Sequence, residues 1–260
     1  MKHYTITMTP QIAEEWLKAN TRNRPVKEAH VRHLAREMAA GRWKENGESI
    51  KRNGTALLDG QHRLLACVKC GKPFRTLVVE GLPSDVFDTI DQCVPRSGSD
   101  TLAVMGEKNT KRLSAALGLL DKYITGRMAG SVKYSNADIE ELLLRHPGIR
   151  SSTERSDLKT RLLPPALASF LHYIFSQKDP ALADQFMDQV LRGKGLSEGQ
   201  PVYLLRERLV DNSLAKAKLS PAYIAALAIK AWNFTRAGKS ITYLRFRDRG
   251  EAAEAFPIAV

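Results

Sequence analysis

The stretch from Leu57 to Ala66, LLDGQHRLLA, constrains the fold more tightly than any other part of the chain. A short apolar run meets an Asp-Gly pair, and the apolar residues that follow recur at helical spacing, which predicts a strand, a tight turn and a helix start. The first turn of a helix has N–H groups without partners inside the helix, and a glycine lets an anion approach the backbone. This stretch therefore predicts a phosphate site.

Three residues of the stretch carry the predicted chemistry. Arg63 offers a phosphate two parallel hydrogen bonds, and His62 can donate a proton or a hydrogen bond to a developing charge. Asp59 is either a metal ligand or only the cap of the helix. In the second interpretation His62 and Arg63 make structural bonds to neighbouring carbonyl groups, and the pattern alone leaves both interpretations open.

The residues around this stretch predict a mixed α/β region. Thr9 and Pro10 form a cap and first-turn signal, and a later apolar stripe predicts an amphipathic helix that stops at Gly41. The predicted elements are helices from Pro10 to about Asn20, over 27–40 and over 61–70, an extended piece over 48–51, and strands over 55–58 and 74–80.

The rest of the chain reads as helical as far as residue 240, and most of its helices begin with Ser, Asn or Pro. The predicted helices span 84–91, 99–105, 109–125, 135–145, 150–161, 164–177, 180–192, 201–218 and 220–237. Ser240 to Arg247 alternates enough to be a strand or an extended arm. The sequence therefore predicts an α+β protein with a mixed domain over 1–105 and an all-helical domain, ending in an extended arm, over 106–260.

The strand–DGQHR–helix run resembles the signature of the ParB/sulfiredoxin-like superfamily. The equivalent turn reads GERR in ParB proteins, GCHR in sulfiredoxins and DGHHR in the free-serine kinases. The flanking helix and strand follow in the same order, and the resemblance covers roughly residues 20–105. Gln61 stands where sulfiredoxins have their reactive cysteine, which excludes sulfinic acid reduction. The DGQHR form is similar to a subgroup found in phages and DNA-modification gene systems.

The resemblance implies a small mixed sheet with helices and a nucleotide site. By position, the residues that would line the phosphates of ATP or CTP are Gly60, Gln61, His62 and Arg63. Glu37 and Glu48 lie where the related kinases keep a catalytic carboxylate, His62 is a third catalytic candidate, and Mg²⁺ on Asp59 would complete the site. The expected activity is hydrolysis or transfer of phosphate in a DNA-related process. The alternatives are a non-catalytic DNA-binding regulator, a ParB-like clamp and a nuclease.

The charge of the chain suggests polyanionic partners. Lys and Arg number 40 against 28 Asp and Glu, so the formal net charge is +12, and both parts of the chain share the excess. Such a field favours nucleic acid through phosphate neutralisation, although a solvated basic surface gives the same composition. Arg96 and the three residues after it are either a second anion site or an ordinary cap loop. A homodimer is left open.

Two basic segments are candidates for DNA contact. A predicted helix-turn-helix over residues 135–161 would present Arg150, Arg155 and Lys159, and its alternative is a helix pair within a bundle. Near the C-terminus, Arg245 and Arg247 alternate with aromatic residues, as in nucleic-acid surfaces or in a charged edge strand.

The remaining features argue for a cytoplasmic protein without structural zinc. Three cysteines cannot form a disulfide framework, no signal peptide is visible, and no apolar run is long enough to span a membrane. Cys67 and Cys70 have helical spacing, and even with Cys93 they fall short of four zinc ligands. His172 lies in an apolar run and is expected to be a core histidine with both ring nitrogens bonded.

Overall fold

The computed structural model describes residues 1–20, 23, 25–54, 56–83, 86, 90, 96–155 and 162–260. It divides into two compact units, residues 1–95 and 96–260. Within the described residues the chain has a small four-stranded mixed sheet and eleven helices, most of them in the second unit. The predicted α+β class is confirmed.

The first unit contains the whole sheet and three helices. Its elements are β1 (Lys2–Met8), α1 (Pro10–Lys18), α2 (Glu28–Ala39), β2 (Ser49–Asn53), β3 (Ala56–Asp59), α3 (Gln61–Cys70) and β4 (Phe74–Glu80). The strand order is β1-β4-β2-β3, in which β4 and β2 are parallel and the other two pairs are antiparallel. Helix α3 packs against α1 and α2, and the core between these elements includes Ile50, Leu64 and Val78, all fully buried.

The helices predicted over 10–20, 27–40 and 61–70 are confirmed, because their signals are local. The hydroxyl of Thr9 accepts the N–H of Ile12 and so caps α1, and Gly71 ends α3 in the left-handed conformation. The predicted strand over 74–80 is also confirmed.

The first strand was missed by the sequence analysis, which assigned no element to the residues before Thr9. The structure pairs β1 antiparallel with β4, from Lys2 opposite Glu80 to Met8 opposite Phe74. Most of β1 is exposed because it forms one edge of the sheet, so it lacks the clear apolar alternation of an inner strand. Its β-branched and aromatic residues were the available signal.

The second unit is all helical within its described residues. Its elements are α4 (Gly98–Val104), α5 (Thr110–Ile124), α6 (Asn136–Arg145), α7 (Ile149–Arg155), α8 (Pro165–Ser176), α9 (Pro180–Arg192), α10 (Pro201–Leu214) and α11 (Pro221–Arg236). Helix α8 is buried from Leu167 to Phe175, and α5, α7, α9 and α11 pack against it. Trp232 stacks on Phe175 with ring centroids 4.5 Å apart. Helix α4 packs against α5 and α6 and belongs to this unit, whereas the sequence boundary after residue 105 grouped it with the sheet.

Some of the predicted ends and elements differ from the structure. Helix α10 stops at Leu214 because the backbone of Ala215 is extended, so the expected continuation to residue 218 was wrong. Residues 240–247 form no strand; they are an irregular arm that is tied at Ile241 to the carbonyl of Gly199. The predicted helix over 84–91 lies almost entirely outside the described residues, as do residues 156–161 of the predicted helix 150–161. In the described part of the chain, no helix has both the length and the apolar character to cross a membrane.

Candidate functional site

The turn at residues 59–63, here called the DGQHR turn, joins β3 to α3. Gly60 is the cap residue of α3 and has a φ of 106° and a ψ of 2°, a conformation that favours glycine. A Cβ atom at this position would lie 2.4 Å from Cδ1 of Ile50 in the neighbouring strand β2. The turn therefore requires glycine both for its backbone conformation and for the space beneath it.

Asp59 braces the DGQHR turn through both carboxylate oxygens. Oδ1 accepts the N–H of Gly60 at 2.6 Å, and Oδ2 accepts Nζ of Lys51 at 2.9 Å and Nη2 of Arg63 at 3.2 Å. Two cations already neutralise this carboxylate, so its donor set does not fit Mg²⁺. No group of three or more His, Cys, Asp or Glu side chains in the described residues is arranged to hold a metal ion.

Arg63 is mostly buried and only partly bonded. Its side chain is 12% exposed, and Nη2 donates to the carbonyl of Ser49 at 2.7 Å as well as to Asp59. The other terminal nitrogen, Nη1, is buried and has no hydrogen-bond partner. A buried charged donor without a partner costs on the order of 1–3 kcal/mol, so this nitrogen has an unmet requirement for an acceptor.

His62 is buried and its ring is held on two sides. Nε2 accepts the backbone N–H of Lys27 at 3.1 Å, and the ring meets that of His30 edge-on with centroids 5.3 Å apart. A ring nitrogen that accepts an N–H carries no proton, so the proton of neutral His62 lies on Nδ1. In this arrangement Nε2 is not a proton donor.

Gln61 ties the DGQHR turn to the loop between α1 and α2. It is buried, and its Oε1 accepts Nδ2 of Asn20 at 3.0 Å. Asn23 donates to the side chain of Asn20 and to the carbonyl of Leu57 at 2.9 Å. Together with Lys27, these two asparagines were missed by the sequence analysis, because no local pattern relates them to a turn about forty residues away.

The two predicted catalytic carboxylates differ in their surroundings. Both oxygens of Glu37 bond to Arg42, at 2.6 and 2.8 Å, and these hydrogen bonds hold the pKa of Glu37 below its usual value. Glu48 is exposed, and its backbone N–H donates to Asn46. A carboxylate with a lowered pKa and a bound guanidinium is a poor general base.

The predicted second anion site at Arg96 includes the N-terminus of α4, which is capped by its own side chains. The hydroxyl of Ser97 accepts the N–H of Asp100, and the carboxylate of Asp100 accepts the N–H of Ser97. The start of α4 therefore carries its own negative charge, as the ordinary cap interpretation expects. Arg96 is exposed at the beginning of the second unit.

The predicted DNA-binding helix pair consists of α6 and α7, and its arginines are paired with acids. Arg150 forms two hydrogen bonds to Glu107, at 2.6 and 2.9 Å, and Arg155 contacts Asp184 at 2.8 Å. Lys159 lies outside the described residues. These contacts favour the alternative of a helix pair within a bundle, although an exposed ion pair such as that of Arg155 contributes little stability and can exchange partners.

Ser152, His172 and Asp184 form a hydrogen-bonded chain across α7, α8 and α9. His172 is bonded at Nδ1 to Ser152 and at Nε2 to Asp184, each at 2.8 Å. The order resembles a nucleophile, a base and an acid, but Ser152 is only 1% exposed, so no substrate reaches its hydroxyl. The prediction of a core histidine with both nitrogens bonded is confirmed.

The Cys67 thiol behaves as a packing group. Cys67 is fully buried, and burial raises the pKa of its thiol to about 11, which leaves it protonated and unreactive at neutral pH. Cys70 is partly exposed, and Cys93 lies outside the described residues.

The C-terminal arginines lie on the irregular arm. Arg245 and Arg247 are exposed, whereas Phe246 between them is 8% exposed and belongs to the core of the second unit. The guanidinium of Arg245 lies over the ring of Tyr243, 5.4 Å from its centroid. The arm thus presents basic side chains outward from a backbone held by an aromatic anchor.

No protein-family model matches this chain, and neither a curated protein nor a solved structure matches it. The contacts of the described residues are therefore the basis for its functional interpretation.

Proposed function

We propose that this chain is a ParB/sulfiredoxin-like protein that binds the phosphates of ATP or CTP at the DGQHR turn. The observation that carries the proposal is the buried Nη1 of Arg63, which has no hydrogen-bond partner. Nη1 itself is buried, whereas the whole side chain is 12% exposed, so the guanidinium would turn towards the solvent to meet a phosphate oxygen, and that contact would remove the cost of the unpaired donor. Arginine suits this role because its charge is permanent and Nη1 still offers its N–H groups while Nη2 is bonded to Ser49 and Asp59.

Two further properties of the turn support anion binding. The DGQHR turn stands at the start of α3, and the N-terminus of a helix favours negative charge. Lys51 and Arg63 both contact Asp59, which leaves one positive charge in excess in this group. An anion at the turn would therefore meet a favourable local field.

The contacts support binding more directly than turnover. Hydrolysis or transfer of the phosphate in a DNA-related process is the activity that the family resemblance implies. Both oxygens of Glu37 are bonded to Arg42, however, and Nε2 of His62 is occupied by the N–H of Lys27. We therefore propose a nucleotide-binding protein first, a phosphate-transferring enzyme second, and a DNA-binding regulator without catalysis as the alternative.

Isothermal calorimetry tests the binding step directly. Wild type, Arg63→Lys, Arg63→Ala and the control Arg75→Gln are titrated with ATP, CTP and their diphosphates, and phosphate release is followed with and without DNA. Arg63→Ala should weaken binding roughly 10- to 100-fold, since a hydrogen bond to a charged group contributes about 1.5–3 kcal/mol. Arg63→Lys should retain part of the affinity because it keeps the charge and loses Nη1.

The control variant, Arg75→Gln, tests the effect of positive charge alone. Arg75 lies on β4 with a side chain that is 66% exposed, so Arg75→Gln removes one positive charge without touching the turn. An equal loss in Arg75→Gln and Arg63→Ala would mean that only the general charge matters. Absence of binding by folded wild-type protein would exclude the nucleotide site, and phosphate release by the wild type would move the enzymatic interpretation to first place.

A further inference from the structure

The segment from Lys239 to Arg249 follows α11 and forms no regular secondary structure. It contains four basic residues and one acidic residue. Two apolar side chains hold it against the second unit, since Leu244 packs on the core and Phe246 is 8% exposed. The ring of Phe246 lies 5.9 Å from that of Tyr223 and 6.0 Å from that of Phe256. The middle of the segment is thus anchored on both sides of Arg245.

The residues between and beside these anchors are exposed. Tyr243 is 67% exposed, and the guanidinium of Arg245 lies over its ring, 5.4 Å from the centroid. Arg247 and Arg249 are also exposed. The carboxylate of Asp248 is 3.9 Å from Nε of Arg249. The backbone N–H of Glu254, whose carboxylate is paired with Lys230, donates to the carbonyl of Arg247 at 2.8 Å.

We propose that this C-terminal strip, made of Tyr243, Arg245, Arg247 and Arg249, binds single-stranded nucleic acid. The arginines neutralise successive phosphates, and the exposed ring of Tyr243 stacks on an unpaired base, with Arg245 adding its cation. A duplex hides the faces of its bases and cannot use the tyrosine. The inference goes beyond the nucleotide site, which lies in the first unit, and does not depend on it.

Fluorescence anisotropy of the full chain with short labelled strands tests the strip. Oligothymidine and oligouridine of equal length are compared with a DNA duplex over a range of salt concentrations. Tyr243→Ala should weaken single-strand binding roughly 5- to 100-fold, the loss expected for one stacked base, and Tyr243→Phe should restore it. The double variant Arg245→Gln, Arg247→Gln should lower the salt slope by about 0.7 for each lost phosphate contact.

A charge-matched control removes two exposed arginines from helices of the same unit. Arg145 on α6 and Arg192 on α9 have side chains that are 59% and 48% exposed, so Arg145→Gln with Arg192→Gln makes the same change in net charge. This control should keep the wild-type salt slope. Thermal unfolding shows that each variant is folded.

Several outcomes would overturn the inference. These are unchanged binding by folded Tyr243→Ala, equal losses in the two arginine double variants, and duplex binding as tight as single-strand binding. Tighter binding of either oligothymidine or oligouridine supports the strip and identifies the polymer it prefers. Tyr243-dependent binding of both also supports it.

Discussion

Gly60 shows how one residue sets the geometry of the candidate site. Its φ of 106° turns the chain from β3 into α3, and Cδ1 of Ile50 occupies the place of a side chain. Asp59 before it and Arg63 after it then meet in one ion pair at 3.2 Å. The sequence indicated a turn here because Asp-Gly is a strong local signal, but it did not indicate that Ile50 closes the space beneath it.

The close approach of Ile50 to Gly60 predicts the effect of a side chain at position 60 on stability. Gly60→Ala should destabilise the protein by about 2–4 kcal/mol, because a positive φ strains alanine and its Cβ would overlap Cδ1 of Ile50. Ile50→Val removes that atom, so Gly60→Ala should cost less in the Ile50→Val background than in the wild type. Urea unfolding of the four proteins measures the coupling. Strictly additive losses would show that the contact with Ile50 does not matter.

At the scale of elements, contacts between helices and loops decide which predicted groups are available for chemistry. The loop after α1 is bonded to Gln61 and His62 through Asn20 and the N–H of Lys27. Arg42, just after α2, takes both oxygens of Glu37. The sequence placed these groups on the correct elements, but it could not show that each was already engaged by a partner from elsewhere.

The pairing of Glu37 with Arg42 predicts a pH dependence of stability. Hydrogen bonds from Arg42 lower the pKa of Glu37 in the folded state, so its contribution is full above the unfolded value of about 4.3 and is lost as the pH falls through the folded pKa. The difference in unfolding free energy between wild type and Glu37→Gln should therefore be largest above about pH 5 and shrink towards pH 3. Urea titrations across that range measure it.

The variant Arg42→Gln tests whether the ion pair with Arg42 is what lowers the pKa of Glu37. Arg42→Gln removes the cause of the lowered pKa, so replacing Glu37 in that background should produce a smaller pH-dependent difference. An equally large pH-dependent difference with and without Arg42 would assign the lowered pKa to another group. Arg36, whose Nε lies 3.4 Å from Glu37, is the next candidate.

At the scale of the whole molecule, two separate hydrophobic cores divide the chain. The first contains Leu64 of α3 and Val78 of β4, and the second contains Phe186 of α9 and Trp232 of α11. Each unit therefore has an apolar interior of its own. The candidate phosphate turn belongs to the first unit and the C-terminal strip to the second.

The two separate cores predict which unit is destabilised when a buried side chain is truncated. Phe186 is fully buried and meets the rings of Phe175 and Trp232 edge-on, so Phe186→Ala should cost about 3–5 kcal/mol and accelerate amide exchange in α8, α9 and α11. Exchange in β2, β4 and α3 should change much less. Hydrogen exchange followed by mass spectrometry resolves the two sets of peptides. A uniform increase over both units would contradict the division.

The elements that could be predicted from the sequence are those whose turns, caps and apolar spacing involve residues only a few positions apart. Helix α3 spans 61–70 and β4 spans 74–80 as predicted, because the Asp-Gly turn, Gly71 and the apolar spacing act locally. The cap of α6, a mutual bond between Ser135 and Asp138, also arises from residues three positions apart. The α+β class and the helical character of the second unit come from these local signals in combination.

Contacts between residues far apart in the sequence are seen only in the tertiary structure. The pairing of β1 with β4, the bond from Arg63 to the carbonyl of Ser49 and the capture of Arg150 by Glu107 join residues far apart in the chain. Such contacts depend on which elements pack together, and local propensity carries no information about that choice. The unpartnered Nη1 of Arg63 belongs to the same class, because a buried donor is defined only by what surrounds it.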